Sequence, residues 1–582
     1  MTKKSSTKYY ISLAIFVIIF WLIDLTPINL HDKGFFLRLI VLICLIILPA
    51  FLKMPKVTKE KRQIPFNNIQ INIESIKELF KKGSGNGLIW IPIILLILFF
   101  IFNLTSTEFF RSRDYAKLLE VNDADFSGDI AELDFTEIPT VDHDTAQRLG
   151  SKKMGEISEL VSQFEVEPDY VQINFQNRPV RVTPLRYGNA IKWLYNRSEG
   201  LPRLIRVDMI DSSVELQALP SGMKYSNAEP FFRNIERYLR LKYPFKIMEK
   251  PLMEIDEEGI PYWVTPVVKP QIGWFGGKDV VEVILCNALT GETVTYKRGE
   301  IPTWIDRVFP ANLVLSHINY YGQYQDGFIN AYFGQKGVLK ATALYNYIAL
   351  NDDVYLYTGI SSVSTEDNSN LGFVLVNLRT KETNYYKIAS ADETSAMRSA
   401  EGAVQEKGYQ ATVPILLNIS GRPTYCMALK DQASLVKMYA LVDAQNYQTT
   451  GVGSSIKEAM QNYEISQNSR LKNEPDSDEI ALRNINLSGK IKDIQSVTIN
   501  GYSYYYFMLD YSESDELTKE QAFFENQVFS APISLNASLA FLEQDDFIKF
   551  DFSTSLSEED MTNENAKIVN QQALEITNID IQ

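Results

Sequence analysis

The stretch whose residue types come nearest to a chemical site is Asp123-Ala-Asp-Phe-Ser-Gly-Asp-Ile-Ala-Glu-Leu-Asp134. Asp123, Asp125, Ser127 and Asp134 fall where an EF-hand loop places calcium ligands, with Gly128 at the turn and Ile130 at the hydrophobic position. Calcium takes many hard oxygen donors, and a bidentate Glu normally closes such a loop. Here the closing residue is the shorter Asp134, the exit runs into Ile138-Pro139 in place of a helix, and the pattern occurs once. A solvated acidic turn is the simpler reading, and no cofactor is expected.

Other chemistry is sparse. The three histidines, His31, His143 and His317, are far apart in sequence, and Asp142-His143-Asp144 has no nucleophile at a telling spacing. Gly273-Trp-Phe-Gly-Gly-Lys278 has the glycines of a phosphate loop without its spacing, and Asp279 follows where Ser or Thr is needed. That loop instead offers Trp274 and Phe275 as partner contacts, unless both fold back on their own sheet. Asp306-Arg307 reads as a helix-capping ion pair. Cys44, Cys286 and Cys426 form no CxxC or Cys/His cluster, and whether Cys286 and Cys426 are bonded is open. No enzyme is read from these residues.

What must position them begins with a membrane end. Apolar runs at Tyr9–Leu25, Phe35–Leu52 and Leu88–Leu104 each approach the roughly 20 residues that span a bilayer, so three transmembrane helices are expected. Residues 1–104 hold 13 Lys and Arg against 5 Asp and Glu, a net of +8 in a chain of −15, which leaves −23 for residues 105–582. Lysines and arginines crowd the N-terminus and the loop between the second and third runs, which puts both in the cytoplasm and residues 105–582 outside. In that loop Ile69, Ile73, Ile76 and Phe80 recur at helical spacing, as in a basic amphipathic helix on the inner leaflet or a plain helical extension. An exterior this acidic excludes a nucleic-acid ligand, whose phosphates need a basic surface. The bilayer and another envelope or membrane protein are the expected partners.

From Val171 the chain alternates with period 2, and one phrase recurs. An apolar strand ends in Asp208, Asn287, Asn377 or Asp443, and a polar turn and a returning strand follow. Asp and Asn suit that position because their side chains accept from nearby backbone amides. The four positions lie 79, 90 and 66 residues apart, an irregular duplication. Helices predicted at 228–242, 395–407 and 454–463 alternate with the strands, giving antiparallel sheets with one face covered.

The hairpin Val283-Ile-Leu-Cys-Asn287 with Thr290-Gly-Glu-Thr-Val294 resembles the PepSY domain of bacterial envelope proteins, with Asn287 where that pattern has Asp. Residues 166–465 resemble membrane-anchored envelope proteins of Gram-positive bacteria, in phrases such as Pro302-Thr-Trp-Ile-Asp-Arg307. The resemblance implies an extracytoplasmic, non-enzymatic module, sometimes tied to protease restraint. It brings no catalytic residues.

After a polar linker, residues 483–582 read β-β-β-α-β-β, the order of an OB-fold. The expected fold class is thus multidomain: three transmembrane helices, α+β antiparallel PepSY-like repeats, and a C-terminal all-β OB-like barrel. Its parts are a membrane anchor (1–104), a juxtamembrane helical region (105–165), two PepSY-like regions (166–310 and 311–465), a linker (466–482) and the barrel (483–582). The expected function is binding or scaffolding in the cell envelope. An envelope hydrolase, or a regulator of an envelope protease, is the alternative.

Overall fold

The computed structural model describes residues 3–52, 90–130, 138–350, 352–363, 369–471, 483–499, 502–512, 517–533, 535–554 and 574–581. The amphipathic segment at Ile69–Phe80, Asp134 and linker residues 472–482 lie outside them. The chain forms two compact units, Met1–Arg470 and Leu471–Gln582.

Among the described residues one helix, in its part Thr7–Asp24, is by itself long and apolar enough to cross a membrane. Trp90–Thr105 has 16 residues, short of a full span, and bends by 47° into Glu108–Ala116; this pair, taken as one span, would be a second. Helix Lys33–Leu52 buries Phe36 and Ile40 against Phe275 of the sheet region, so its first turns are covered by protein. The expectation of three transmembrane helices, and the fold class built on it, is therefore corrected: one such helix, or two, precedes a mosaic of small sheets.

The first unit contains four helix-then-meander modules. Their helices are His143–Gly155, Ile235–Lys242, Ala311–Tyr324 and Glu393–Gly402. Each module's last three strands form an antiparallel meander: Arg178–Tyr187, Leu201–Asp208 and Val214–Met223 in the first, Pro261–Ile272, Gly276–Asn287 and Thr293–Lys297 in the second. Asp353–Ser362, Gly372–Asn377 and Thr383–Tyr386 make the third, and Arg422–Lys430, Val436–Asp443 and Thr450–Gly453 the fourth. Further strands join each first strand: Val171–Phe175, Leu252–Ile255, Leu339–Leu350 and Ile415–Ile419.

One hydrogen-bond device is repeated in all four. The Oδ1 atoms of Asp208, Asn287, Asn377 and Asp443 each accept from the backbone amides two and three residues on, at 2.8–3.1 Å. The next residue then donates its N–H back to the first strand, as Ala288 does to Pro261 O and Ala444 to Pro423 O, both at 3.0 Å. Its own carbonyl receives the segment that leads to the module's helix: Thr140 and Val141 on Met209 O, Val308 and Phe309 on Leu378 O, Ala391 on Ala444 O. The recurring Asp or Asn thus sets where the chain turns and where each helix attaches.

The two asparagine copies differ in a partner of the side-chain amide, which gives a sharp test. Asn377 Nδ2 also donates to Asp353 Oδ2 at 2.8 Å in a buried setting, and Arg379 pairs with the same carboxylate. Asn287→Asp should change stability by less than about 0.5 kcal/mol, whereas Asn287→Ala should cost about 1–2 kcal/mol. Asn377→Asp should cost more than Asn287→Asp, because it faces one carboxylate with another. Denaturant melts of the three variants check this, and equal costs for the two Asp substitutions would reject it.

Apolar residues of neighbouring modules share cores. Trp263, Ile284 and Cys286 of the second pack with the first. Val264, Val283 and Leu285, on the other face of the same strands, pack with Val354, Leu356 and Val374 of the third. Tyr357 and Phe373 of the third pack with Tyr425 and Met427 of the fourth. The buried Cys286 and Cys426 are both free thiols.

The second unit is a five-stranded sheet whose strands pair in a ring: Arg483–Ile499, Tyr502–Asp510, Phe529–Pro532, Leu574–Ile581 and Phe547–Thr554. Phe507, Phe529, Phe550 and Phe552 fill its core.

Candidate functional site

The sequence-predicted contacts turn inward. Phe275 is buried against Phe36 and Phe99, at ring-centroid distances of 5.7 and 5.6 Å. Trp274 stacks on Phe102 at 4.6 Å and on His31 at 4.4 Å, and its indole donates to Leu30 O at 2.9 Å. The amides of both residues donate to Ser106 Oγ, and a Cβ at Gly276 would strike the Tyr115 hydroxyl. The tip is a plug seated in the chain's own N-terminal helices.

The calcium pattern is also accounted for locally. Asp123 pairs with Lys387 at 2.6 Å, and Asp125 caps the short helix Phe126–Asp129 by accepting from Gly128 N. Ser127 sits in that helix, and Asp134 lies outside the described residues. Among the described residues no three His, Cys, Asp or Glu side chains group as a metal site would require.

A different place gathers residues from all four modules, with polar groups from the first three. A cleft of about 530 Å³ is lined by Asp142, Arg181, Lys250, Arg307 and Tyr347, with Val413 from the fourth module. Arg181 and Arg307 form its floor, both more than nine-tenths buried. Their positions follow from backbone anchors. Arg181 lies on the strand Arg178–Tyr187, and its Nε donates to Val141 O at 3.1 Å and its Nη2 to Gln172 Oε1 at 3.3 Å. Arg307 lies on the loop before the third helix. Its Nη1 donates to Gln172 O at 3.3 Å, and its guanidinium lies 3.9 Å from the Tyr347 ring centroid.

That loop is held by buried carboxylates. Glu254 accepts the amides of Asp306 and Arg307 at 2.8 and 2.9 Å, and Asp306 Oδ2 accepts the amide of Asn174 at 2.6 Å. Asp306-Arg307 is therefore not a helix cap: Pro310 holds that position, and the dipeptide joins three modules. Burial raises Glu254 to about 7, against the opposing pull of the two amides and Arg307. Burial, then the charge of Glu254, raises Asp306 well above the usual carboxylate range.

Electrostatics single out the floor. Among the described residues neither Arg181 nor Arg307 makes an ion pair, and the buried Nε of Arg307 has no hydrogen-bond partner. Burial pulls Arg181 down to about 10; Asp142 opposes this, and the like charge of Arg307 adds to it. The Tyr170 hydroxyl, also on the lining, is buried without a partner. At the rim Asp142 is held by Lys430 at 2.6 Å. Burial would raise that carboxyl, but the hydrogen bond and charge of Lys430 prevail and lower it. His143 stands beside it at the start of its helix, 3.3 Å from Asp144. Two desolvated guanidiniums with donors to spare have the chemistry to take charge-assisted bonds from a carboxylate or phosphate.

Sequence reasoning passed over Arg181, Gln172 and Glu254, and gave Arg307 a capping role that it does not have. The available signal was a charged pair, Asp306-Arg307, inside the otherwise apolar Trp304–Phe309, and an arginine between the buried valines 180 and 182.

No family model matches the chain, and no curated protein matches it. Among solved structures, an endo-arabinase from Bacteroides thetaiotaomicron is 10% identical over 48% of this chain and 74% of its own, with a TM-score of 0.15. An apocarotenoid oxygenase from Synechocystis is 10% identical over 50% of this chain and 61% of its own, at 0.16. A Dyadobacter fermentans protein of unknown function is 10% identical over 60% of this chain and 92% of its own, at 0.16. Scores this low carry no argument about fold or activity.

Proposed function

We propose that this chain is a membrane-anchored, non-enzymatic binding protein of the cell envelope, which grips an anionic group of an envelope partner between Arg181 and Arg307. The observation that carries the reading is the pair of buried guanidiniums facing a cleft, with no carboxylate among the described residues bonded to either. The resemblance of the hairpins to PepSY domains supports a binding module outside the cytoplasm. So do Lys3, Lys4 and Lys8 in the first turns of helix Lys3–Asp24, which favour a cytoplasmic N-terminus. Glu254 and Asp306, the carboxylates with the largest upward shifts, are engaged by backbone amides and serve as bolts, so their perturbation needs no catalytic role.

The test is thermal unfolding of the full chain in detergent, with citrate or N-acetylaspartate against sodium chloride at equal ionic strength. Binding to the folded state raises the midpoint. Arg181→Met should abolish that rise, and Arg181→Lys should weaken the apparent affinity at least about tenfold, the loss of one charge-assisted hydrogen bond. An identical anion response in wild type and Arg181→Met, or no response in wild type, sinks the reading.

A further inference from the structure

Two sets of bare aromatic and aliphatic side chains stand where the sheet modules meet the N-terminal helices. The first lies on Phe231–Phe245 and the neighbouring helix Ala190–Asn196. Phe231, Phe232 and Phe245 are 66%, 70% and 64% exposed, and Ile191 and Tyr195 are 66% and 80% exposed. The helix and the Phe231 segment are joined: Trp193 meets Phe231 at 6.2 Å, and Arg233 donates to Arg197 O. The patch is built rigidly. Trp193 Nε1 donates to the buried Glu229 at 2.9 Å, which also accepts from Tyr187 at 2.6 Å, so the short helix must present its other face outward.

This patch abuts the membrane helix directly. Arg237 donates to Leu22 O at 3.3 Å, near the end of helix Lys3–Asp24. The loop that follows is bound to the same segment through Ile28 N on Pro244 O and Asn29 Nδ2 on Phe245 O, at 2.7 and 2.8 Å.

The second set follows the other apolar helix. Trp90–Thr105 passes in two residues into Glu108–Ala116, where Phe109 and Phe110 are 58% and 57% exposed. Phe109 packs on Phe328 at 5.0 Å, and beyond it Ile329 and Phe333 are 74% and 81% exposed. Both patches thus continue the bare apolar surfaces of the helices they adjoin, such as Ile19 and Ile23 on one and Phe100 and Leu104 on the other. Around the first, Lys192, Arg197, Arg233 and Lys242 gather positive charge in a region whose net charge is strongly negative.

Aromatic side chains beside basic ones are the composition of a surface that settles into the headgroup zone, with rings reaching the acyl boundary. The geometry points to a lipid bilayer as the occupant of both patches: the sheet modules lie on the membrane, with Phe231, Phe232 and Phe245 on one side and Phe109, Ile329 and Phe333 on the other dipped into the leaflet. This rests on the membrane reading of helix Lys3–Asp24.

The test labels the full chain in vesicles of mixed neutral and anionic phospholipid. In a Cys44→Ala background, an environment-sensitive fluorophore is placed at Phe232→Cys, Phe333→Cys or Ile15→Cys, and lipids brominated on the acyl chain are the quencher. Loss of most fluorescence at all three sites is the expected result. Quenching at Ile15→Cys alone overturns the inference and leaves the membrane helix standing. No quenching at any site overturns both. Blue-shifted but unquenched labels at Phe232→Cys and Phe333→Cys would mean that protein covers the patches, which also overturns it.

Discussion

Glu254→Ala should destabilise the first unit by about 3–5 kcal/mol, as breaking a buried charged network does. Glu254 is fully buried, and both its oxygens are taken by the amides of Asp306 and Arg307. Alanine leaves those amides buried without an acceptor and releases the loop that holds Arg307 under the cleft. A denaturant midpoint of Glu254→Ala equal to that of wild type would reject the bolt. Glu254→Gln separates charge from shape through pH. The carboxyl rises from 4.5 in its ordinary state to about 7 when folded. Below pH 4.5 both states hold the proton, and between 4.5 and 7 the unfolded chain releases it first. Stability from this group therefore falls as pH rises through that window and levels off above pH 7. Relative to Glu254→Gln, which does not titrate, wild type should lose about 3 kcal/mol across the window. Parallel stability curves for the two would remove the claim.

Gly451→Val should cost about 3 kcal/mol or more, the upper range for forcing atoms into a filled core. Gly451 sits on the last strand of the fourth module, and helix Ile456–Leu471 packs flush against it. A Cβ there would land on the backbone nitrogen of Tyr463 and the carbonyl oxygen of Ala459, and backbone cannot swing aside as a side chain can. Ala459, Met460 and Tyr463 should then lift from Leu417, Cys426 and Leu441, and the helix amides should exchange with solvent faster. Gly402→Ala is the contrast. That glycine lies in helix Glu393–Gly402 with nothing within 4 Å of an added Cβ, so alanine should be neutral or should stabilise by up to about 1 kcal/mol. Equal destabilisation by the two substitutions would show that contact with the helix is not the cause.

What the sequence revealed was local. Asp208, Asn287, Asn377 and Asp443 were legible because each acts on amides two and three residues away, and because strand alternation needs no distant partner. The membrane count was less so. Run length ignores the docking of Phe275 on Phe36 and Ile40 of one helix, which depends on the folded sheet region. The acidic turn at Asp123 and Asp125 shows the same dependence on distant residues, since Lys387, far along the chain, pairs with Asp123, while Gly128 engages Asp125 locally. Arg181, Glu254 and Arg307 carried no spacing signal. Their meaning comes from convergence, and nothing in Pro179–Pro184 says what will lie opposite its arginine.

The pins of the cleft also set an order of assembly. Glu254 reaches 52 residues to Asp306, Asn174 reaches 132 to the same residue, and Gln172 reaches 135 to Arg307. Asp142 must wait for Lys430, 288 residues downstream. Each module can turn its own hairpins as soon as its strands exist, since its Asx device is self-contained. The cleft can close only after the fourth module has been synthesised and has docked, when the loop-closure cost of these long-range contacts is finally met. A chain interrupted before Lys430 would own every residue of the floor and still lack the clasp that shuts the rim.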